Sequence, residues 1–162
     1  VRTHLMSINS EEKFTKLQGE VYGNRINEAI QAPGVFDALI RIKNKGIKLF
    51  IVSHKTKFPI IGPKYDLHKS ALDWLQNNKF TKKNGLDIKR NEIFFEKSKI
   101  NKIKRIQSIG CTHFVDDLLD ILNEINSNII RIHYNPLKKE LKGYNSIYSL
   151  DNWNNFKNLK IF

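Results

Sequence analysis

The sequence contains a single cysteine, Cys111, in 162 residues. One thiol cannot build a disulfide framework or a cysteine-based zinc site within one chain, and it fits a reducing compartment. No run of about 18 apolar residues exists, which excludes a transmembrane helix. The opening residues Val1 to Met6 carry no apolar signal core. A cytoplasmic protein with no membrane partner is therefore expected. No internal repeat and no low-complexity linker divides the chain. At this length a single domain over 1–162 is expected, large enough to bury a core without staples.

Acidic residues are few. Sixteen stand against 28 Lys and Arg, for a net charge of +12. A basic chain attracts nucleic acid, anionic membranes or phosphorylated ligands. Eighteen asparagines accompany abundant Lys and Ile, the drift of an AT-rich genome, and the lysines are spread along the chain. Charge alone sets only non-specific attraction. A basic nucleic-acid-associated protein thus stands as an alternative, behind readings based on a site.

Periodicity predicts alternating helices and strands. Ser10 to Ala32 reads as helix, with Ser10 before Glu11-Glu12 as its N-terminal signal and Gly19 and Gly23 weakening its middle. After Pro33-Gly34 a second helix carries Val35, Leu39 and Ile42 and stops at Asn44-Lys45-Gly46. Ile47 to Val52 is a strand whose apolar end suggests cover on both faces. Ser53 to Tyr65 reads as loop, and Asp66 caps a helix carrying Leu67, Ala71, Leu72, Trp74 and Leu75. Thr81 to Arg90 reads as polar loop or hairpin and Glu92 to Phe95 as a strand. A helix over Ser98 to Ser108 turns Ile100, Ile103 and Ile106 inward. Cys111 to Val115 is a strand, Leu118 to Asn126 a helix, Asn128 to His133 a strand, and the tail closes amphipathically at Trp153, Phe156 and Leu159. Such alternation argues for an open, mostly parallel α/β sheet with right-handed crossovers. Ligands in these sheets sit beyond the carboxyl ends of the strands.

Two strands end in chemistry. One runs Ile51-Val52-Ser53-His54-Lys55-Thr56. The other runs Phe114-Val115-Asp116-Asp117, with Asp120 close behind. Between them a helix opens as Lys97-Ser98-Lys99-Ile100-Asn101-Lys102. Adjacent carboxylates repel, and a divalent cation relieves them; one or two carboxylates suit Mg²⁺, which retains waters and a substrate phosphate. A hydroxyl at a neighbouring strand end can hydrogen-bond a phosphoryl oxygen, and a lysine at a helix start adds charge to oriented N–H groups. Together these parts make a site for phosphoryl transfer, where positioning and charge neutralisation carry the catalysis. Each part also has a plain structural role: Ser53 in a loop, Asp116-Asp117 as helix cap, Lys102 solvated. His54, His68 and His113 lack the i, i+4 spacing of a zinc pair. Lys55, Lys57 and Lys64 either collect an anion or are simply solvated. Cys111 reads as a small buried hydrophobe, and Trp74 and Trp153 as packing residues.

The order Ser53, Lys102, Asp116-Asp117 with Asp120 resembles the haloacid dehalogenase-like (HAD) superfamily. The likeness covers about residues 33 to 134. The strings Ile51 to Thr56, Gly62 to His68 and Gly110 to Asp117 look like a bacterial subgroup of uncertain substrate. The resemblance implies a Rossmannoid three-layer core over 33–162, with 1–32 as the helical segment that follows the family's first motif. It implies a Mg²⁺-dependent phosphomonoester hydrolase. Ser53, His54, Lys55 and Lys102 would bind phosphate, with Ser53 and Lys102 acting in catalysis. Asp116 would be the main metal ligand, with Asp117 or Asp120 orienting its waters. Lys97 or Lys99 would fit the longer lysine spacing of other members.

The family's first motif, an apolar strand ending in Asp-x-Asp whose first Asp is the nucleophile, has no counterpart here. Before Ser53 the acids are Glu11, Glu12, Glu20, Glu28 and Asp37, all in helical context. The chain opens on Val1 inside a helical pattern, so a frame that starts after its own first motif is the expectation. In the family fold that strand lies between the strands ending at Val52 and Val115. Its slot is expected to close by direct pairing of the two, to be filled from elsewhere, or to drive self-association, since exposed strand edges are generally avoided. Little or no phosphatase activity is expected without the nucleophile. A small phosphorylated substrate and a possible homo-oligomer are the expected partners, and a non-catalytic module binding a phospho-ligand or partner protein is the main alternative.

Overall fold

A computed structural model describes residues 11–140, 143 and 146–161. Ser10, the expected helix cap, lies outside them. In chain order the elements are α1 (Glu11–Gly19), α2 (Val35–Asn44), β1 (Ile51–His54), α3 (Leu67–Asn77), β2 (Ile93–Glu96), α4 (Lys99–Ser108), β3 (His113–Asp116), α5 (Leu119–Glu124), β4 (Ile130–Tyr134) and β5 (Ile147–Leu150). Short 3₁₀ turns cover Ile26–Glu28, Arg90–Glu92 and Trp153–Leu159. Among the described residues no helix is long and apolar enough to cross a membrane. The chain divides into two compact units, one from the chain up to Ile30 with Lys55–Lys89, the other from Gln31–His54 with Arg90 onward.

The first unit is helical. Asp66 caps α3 as its position suggests, its carboxylate accepting from the His68 and Lys69 N–H groups at 3.1 and 2.9 Å. Leu67, Ala71 and Leu75 then face inward at successive turns. The Trp74 indole donates to the Ala29 carbonyl at 2.8 Å and its ring packs on Phe80. The polar stretch after α3 is a loop pinned by buried Leu86 and Ile88. The single helix expected from Ser10 to Ala32 is instead broken: α1 widens into a π-helical turn over Glu20–Asn24, then a 3₁₀ turn. The reason is tertiary contact at a glycine. A Cβ on Gly23 would lie 2.5 Å from the Tyr65 Cβ, so only the bare backbone admits that ring.

The second unit carries the alternation. Its strands form two parallel sheets, β1 with β2 and β3-β4-β5 in that order. Helix α2 stops as its sequence implies, with Gly46 at φ 77° and its N–H on the Lys43 carbonyl. The strand expected from Ile47 begins only at Ile51 and runs through Ser53 and His54, which were expected in a loop. Strand β5 was not anticipated; it adds parallel to β4 and buries Ile147 and Leu150.

Two apolar clusters flank these strands. Val52, Ile103, Ile106, Ile121, Leu122, Ile125 and Ile129 pack together with Ile147 on the side of α4 and α5. Ala38, Ile42, Ile132, Leu150 and Phe156 pack on the side of α2, where Trp153 stacks on Phe156. Ile100 is a correction: it is 62% exposed, and the inward face of α4 is Lys102, Ile103 and Ile106. The fold is thus a mixed α/β arrangement of alternating helices and two small parallel sheets, and among the described residues no strand lies between β1 and β3. Strands β1 and β3 do not pair with each other.

Candidate functional site

Helix α4 begins where β2 ends. Ser98 caps it, accepting the Asn101 N–H at 3.2 Å. One turn in, the inward face of the helix carries a lysine where an apolar residue would be usual. The Lys102 ammonium meets the Asp116 carboxylate at the end of β3, and both side chains are buried. Lys102 also lies 5.5 Å from the centre of the Phe114 ring. The second Asp116 oxygen accepts the Leu118 N–H at 2.9 Å. A buried pair of this kind holds only when its remaining bonds are satisfied. Here an ammonium and a backbone amide satisfy both carboxylate oxygens.

The pair also fixes direction. Glu96, the last residue of β2, bonds Arg105 of α4 at 2.8 Å, while Lys102 of the same helix reaches the last residue of β3. Helix α4 follows directly on β2, and Lys102 lies in its first turns, so the carboxyl ends of β2 and β3 both lie toward the N-terminal half of α4. Strand β1 is parallel to β2, with Ser53 beside Phe95 and His54 beside Glu96, so Ser53 comes to that same rim.

The remaining expected residues are placed as follows. Ser53 is half-buried at the rim and makes no bond to Lys102 or Asp116. His54 is exposed. Lys55 belongs to the other compact unit, where its ammonium sits 4.3 Å from the Tyr22 ring centre. Burial pushes the Lys55 ammonium below its ordinary pKa. Asp117 and Asp120 are exposed. Lys99 pairs with Glu124 at 2.7 Å and Lys97 is exposed, so of the three candidate lysines Lys102 is the one that reaches the acid.

One residue was missed. His133 on β4 stands in register with Asp116, is only 5% exposed, and donates from Nε2 to the Asp117 carbonyl at 3.1 Å. Its Nδ1 is buried without a partner. The signal was present in Arg131-Ile132-His133, where polar side chains alternate with an isoleucine along one strand. Arg131 is likewise buried, bonding the Ser146 hydroxyl.

For a Mg²⁺ ion the donor set is partial. Asp116 offers a carboxylate at a strand end, and one or two suffice when phosphate and water complete the shell. Lys102 holds one of its oxygens and the Leu118 N–H the other, so ion and ammonium would compete for the carboxylate. Among the described residues no group of three or more His, Cys, Asp or Glu converges as a metal cluster. No family model, curated protein or solved structure matches the chain.

Proposed function

We propose that this chain forms the anion-binding part of a HAD-like phosphoryl site, and that as given it binds a phosphorylated ligand without hydrolysing it. The observation that carries the reading is the buried Lys102–Asp116 pair at the rim where β1, β2 and β3 end. Its two members come from different elements 14 residues apart. A pair of charges is costly to bury, and at a strand rim it serves ligand binding as no apolar pair could.

In this reading Lys102 neutralises phosphoryl charge and Ser53 hydrogen-bonds a phosphoryl oxygen from the neighbouring strand end. His54 is exposed at the end of β1 and would add a further hydrogen-bonding group there. Asp116, with Asp117 or Asp120 orienting water, would hold Mg²⁺, which supplies charge neutralisation when bound. The strand order β2-β1, then β3-β4-β5, supports the resemblance, because the family's first strand belongs between β1 and β3. No Asp-x-Asp occurs in the sequence, so no residue is offered as nucleophile.

The test is phosphate release from a panel of phosphomonoesters with Mg²⁺. None is expected. Robust turnover abolished by Asp116→Ala would overturn the reading that the nucleophile is lacking. Binding that falls steeply with salt on duplex or single-stranded DNA, with no response to phosphate, would replace the proposal with the nucleic-acid alternative.

A further inference from the structure

In the second unit, helix α2 and the C-terminal turn Trp153–Leu159 line a cleft of about 330 Å³. Its floor includes the buried Ala38, Ile42 and Phe156. Its rim is cationic. Arg41 and Lys45 stand four residues apart, on one side of α2 at its C-terminal end. Lys157 and Lys160 come in from the C-terminal segment. All four are exposed, and among the described residues none of them forms an ion pair. One carboxylate, that of Asp37, shares the cleft with them. Ser53, Lys102 and Asp116 take no part in its lining.

A helix C-terminus favours cations, which accounts for Arg41 and Lys45. It does not account for Lys157 and Lys160, which belong to a separate segment. Like charges gathered round one cleft repel, and an anion among them relieves the repulsion. The hydrogen-bonding groups tell the same way. The half-buried Trp153 indole N–H makes no hydrogen bond among the described residues. Donors thus outnumber acceptors, and a ligand rich in acceptors would meet them. The apolar floor asks in addition for an apolar body. A cavity of about 150 Å³ holds one benzene ring, so this cleft has room for roughly two rings. A flat aromatic body suits these walls better than an acyl chain, because guanidinium and ammonium groups are attracted to ring faces.

We propose that this cleft binds a small aromatic anion. Its planar ring body would lie on the floor of Ala38, Ile42 and Phe156. Its carboxylate or phosphate head would be held by Arg41, Lys45, Lys157 and Lys160, with the Trp153 N–H as a further donor. Charge and apolar body act together here, which sets the cleft apart from a basic surface that takes any anion. The inference is independent of the phosphoryl reading, and its failure would leave that reading as it stands.

The chain has two tryptophans, and Trp74 belongs to the other unit. Proton–nitrogen correlation spectra therefore separate the Trp153 indole signal from that of Trp74, with Trp74→Phe as the assignment. The probes are 2-naphthoate and 2-naphthyl phosphate, titrated without Mg²⁺. Both should shift the Trp153 signal and leave that of Trp74 in place, and the tighter of the two identifies the head group. Neutral 2-naphthalenemethanol should bind at least about tenfold more weakly than 2-naphthoate. The saturated decahydronaphthalene-2-carboxylate should bind about threefold more weakly. Arg41→Gln with Lys157→Gln should weaken binding at least about tenfold. Lys82→Gln with Lys83→Gln, which removes the same charge from exposed residues of the other unit, should leave it unchanged. No shift at Trp153, equal binding of the alcohol or the saturated acid, or equal loss in the two double variants would overturn the proposal.

Discussion

The Lys102 ammonium and the Asp116 carboxylate form a buried ion pair across 14 residues of sequence, joining the first turns of α4 to the last residue of β3. Removing one member leaves the other charged, buried and alone. Lys102→Met should therefore cost about 3–5 kcal/mol of unfolding free energy in denaturant titrations. The double variant Lys102→Met with Asp116→Leu should recover most of that loss, because a well-packed apolar pair replaces the charges. Equal, mild effects of the single and double variants would mean that the pair is hydrated in solution.

Helix α4 provides a contrast within one element. Ile106 is 0% exposed, and Ile106→Ala should cost about 2–5 kcal/mol. Ile100, read from spacing alone as an inward residue, is 62% exposed, and Ile100→Ala should stay within about 0.5 kcal/mol. Reversal of this order would mean that α4 is rotated about its axis.

Asp66 gives a pH dependence of known sign. The Lys69 N–H first, then the Lys57 ammonium and the His68 N–H, hold its carboxyl below the ordinary 3.8. The folded form thus binds its proton less readily than the unfolded form. The stabilisation is complete above pH 3.8 and is lost as pH falls through the folded value. Asp66→Asn keeps a capping oxygen and removes the charge, so thermal unfolding of the variant followed by circular dichroism should depend less on pH in that acid range. Parallel pH profiles for the two proteins would count against the cap.

Gly23 tests the break in the first helical segment. Gly23→Ala favours a regular helix by intrinsic propensity, yet its methyl would collide with Tyr65. The variant should unfold at lower temperature, and Tyr65→Ala should remove most of that penalty. A stabilised single variant would mean that the ring does not pack there.

The alternation of elements, the Asp66 cap and the Gly46 stop were legible because each depends on local chemistry. The Lys102–Asp116 meeting was suggested by order along the chain, and its partners come from two elements that only the fold brings together. Ser53 and His54 were misread as loop because strand pairing with Phe95 and Glu96 is not visible in β1 alone. Strand β5 escaped because its middle residues, Tyr148 and Ser149, show no clear alternation and its place is set by β4. His133 was overlooked for a similar reason: a histidine in an apolar run acquires meaning only from its register with Asp116.

The most direct measurement is calorimetric titration of inorganic phosphate into the folded chain with and without Mg²⁺. The account predicts Mg²⁺-dependent binding, weakened by at least about tenfold in Lys102→Met and in Asp116→Asn, since a lost bond to a charged group is worth about 1.5–3 kcal/mol. Lys99→Met, which removes only the pair with Glu124, should bind as the unmodified chain does. Phosphate affinity unchanged by Lys102→Met and Asp116→Asn, or no phosphate binding at all, would contradict it.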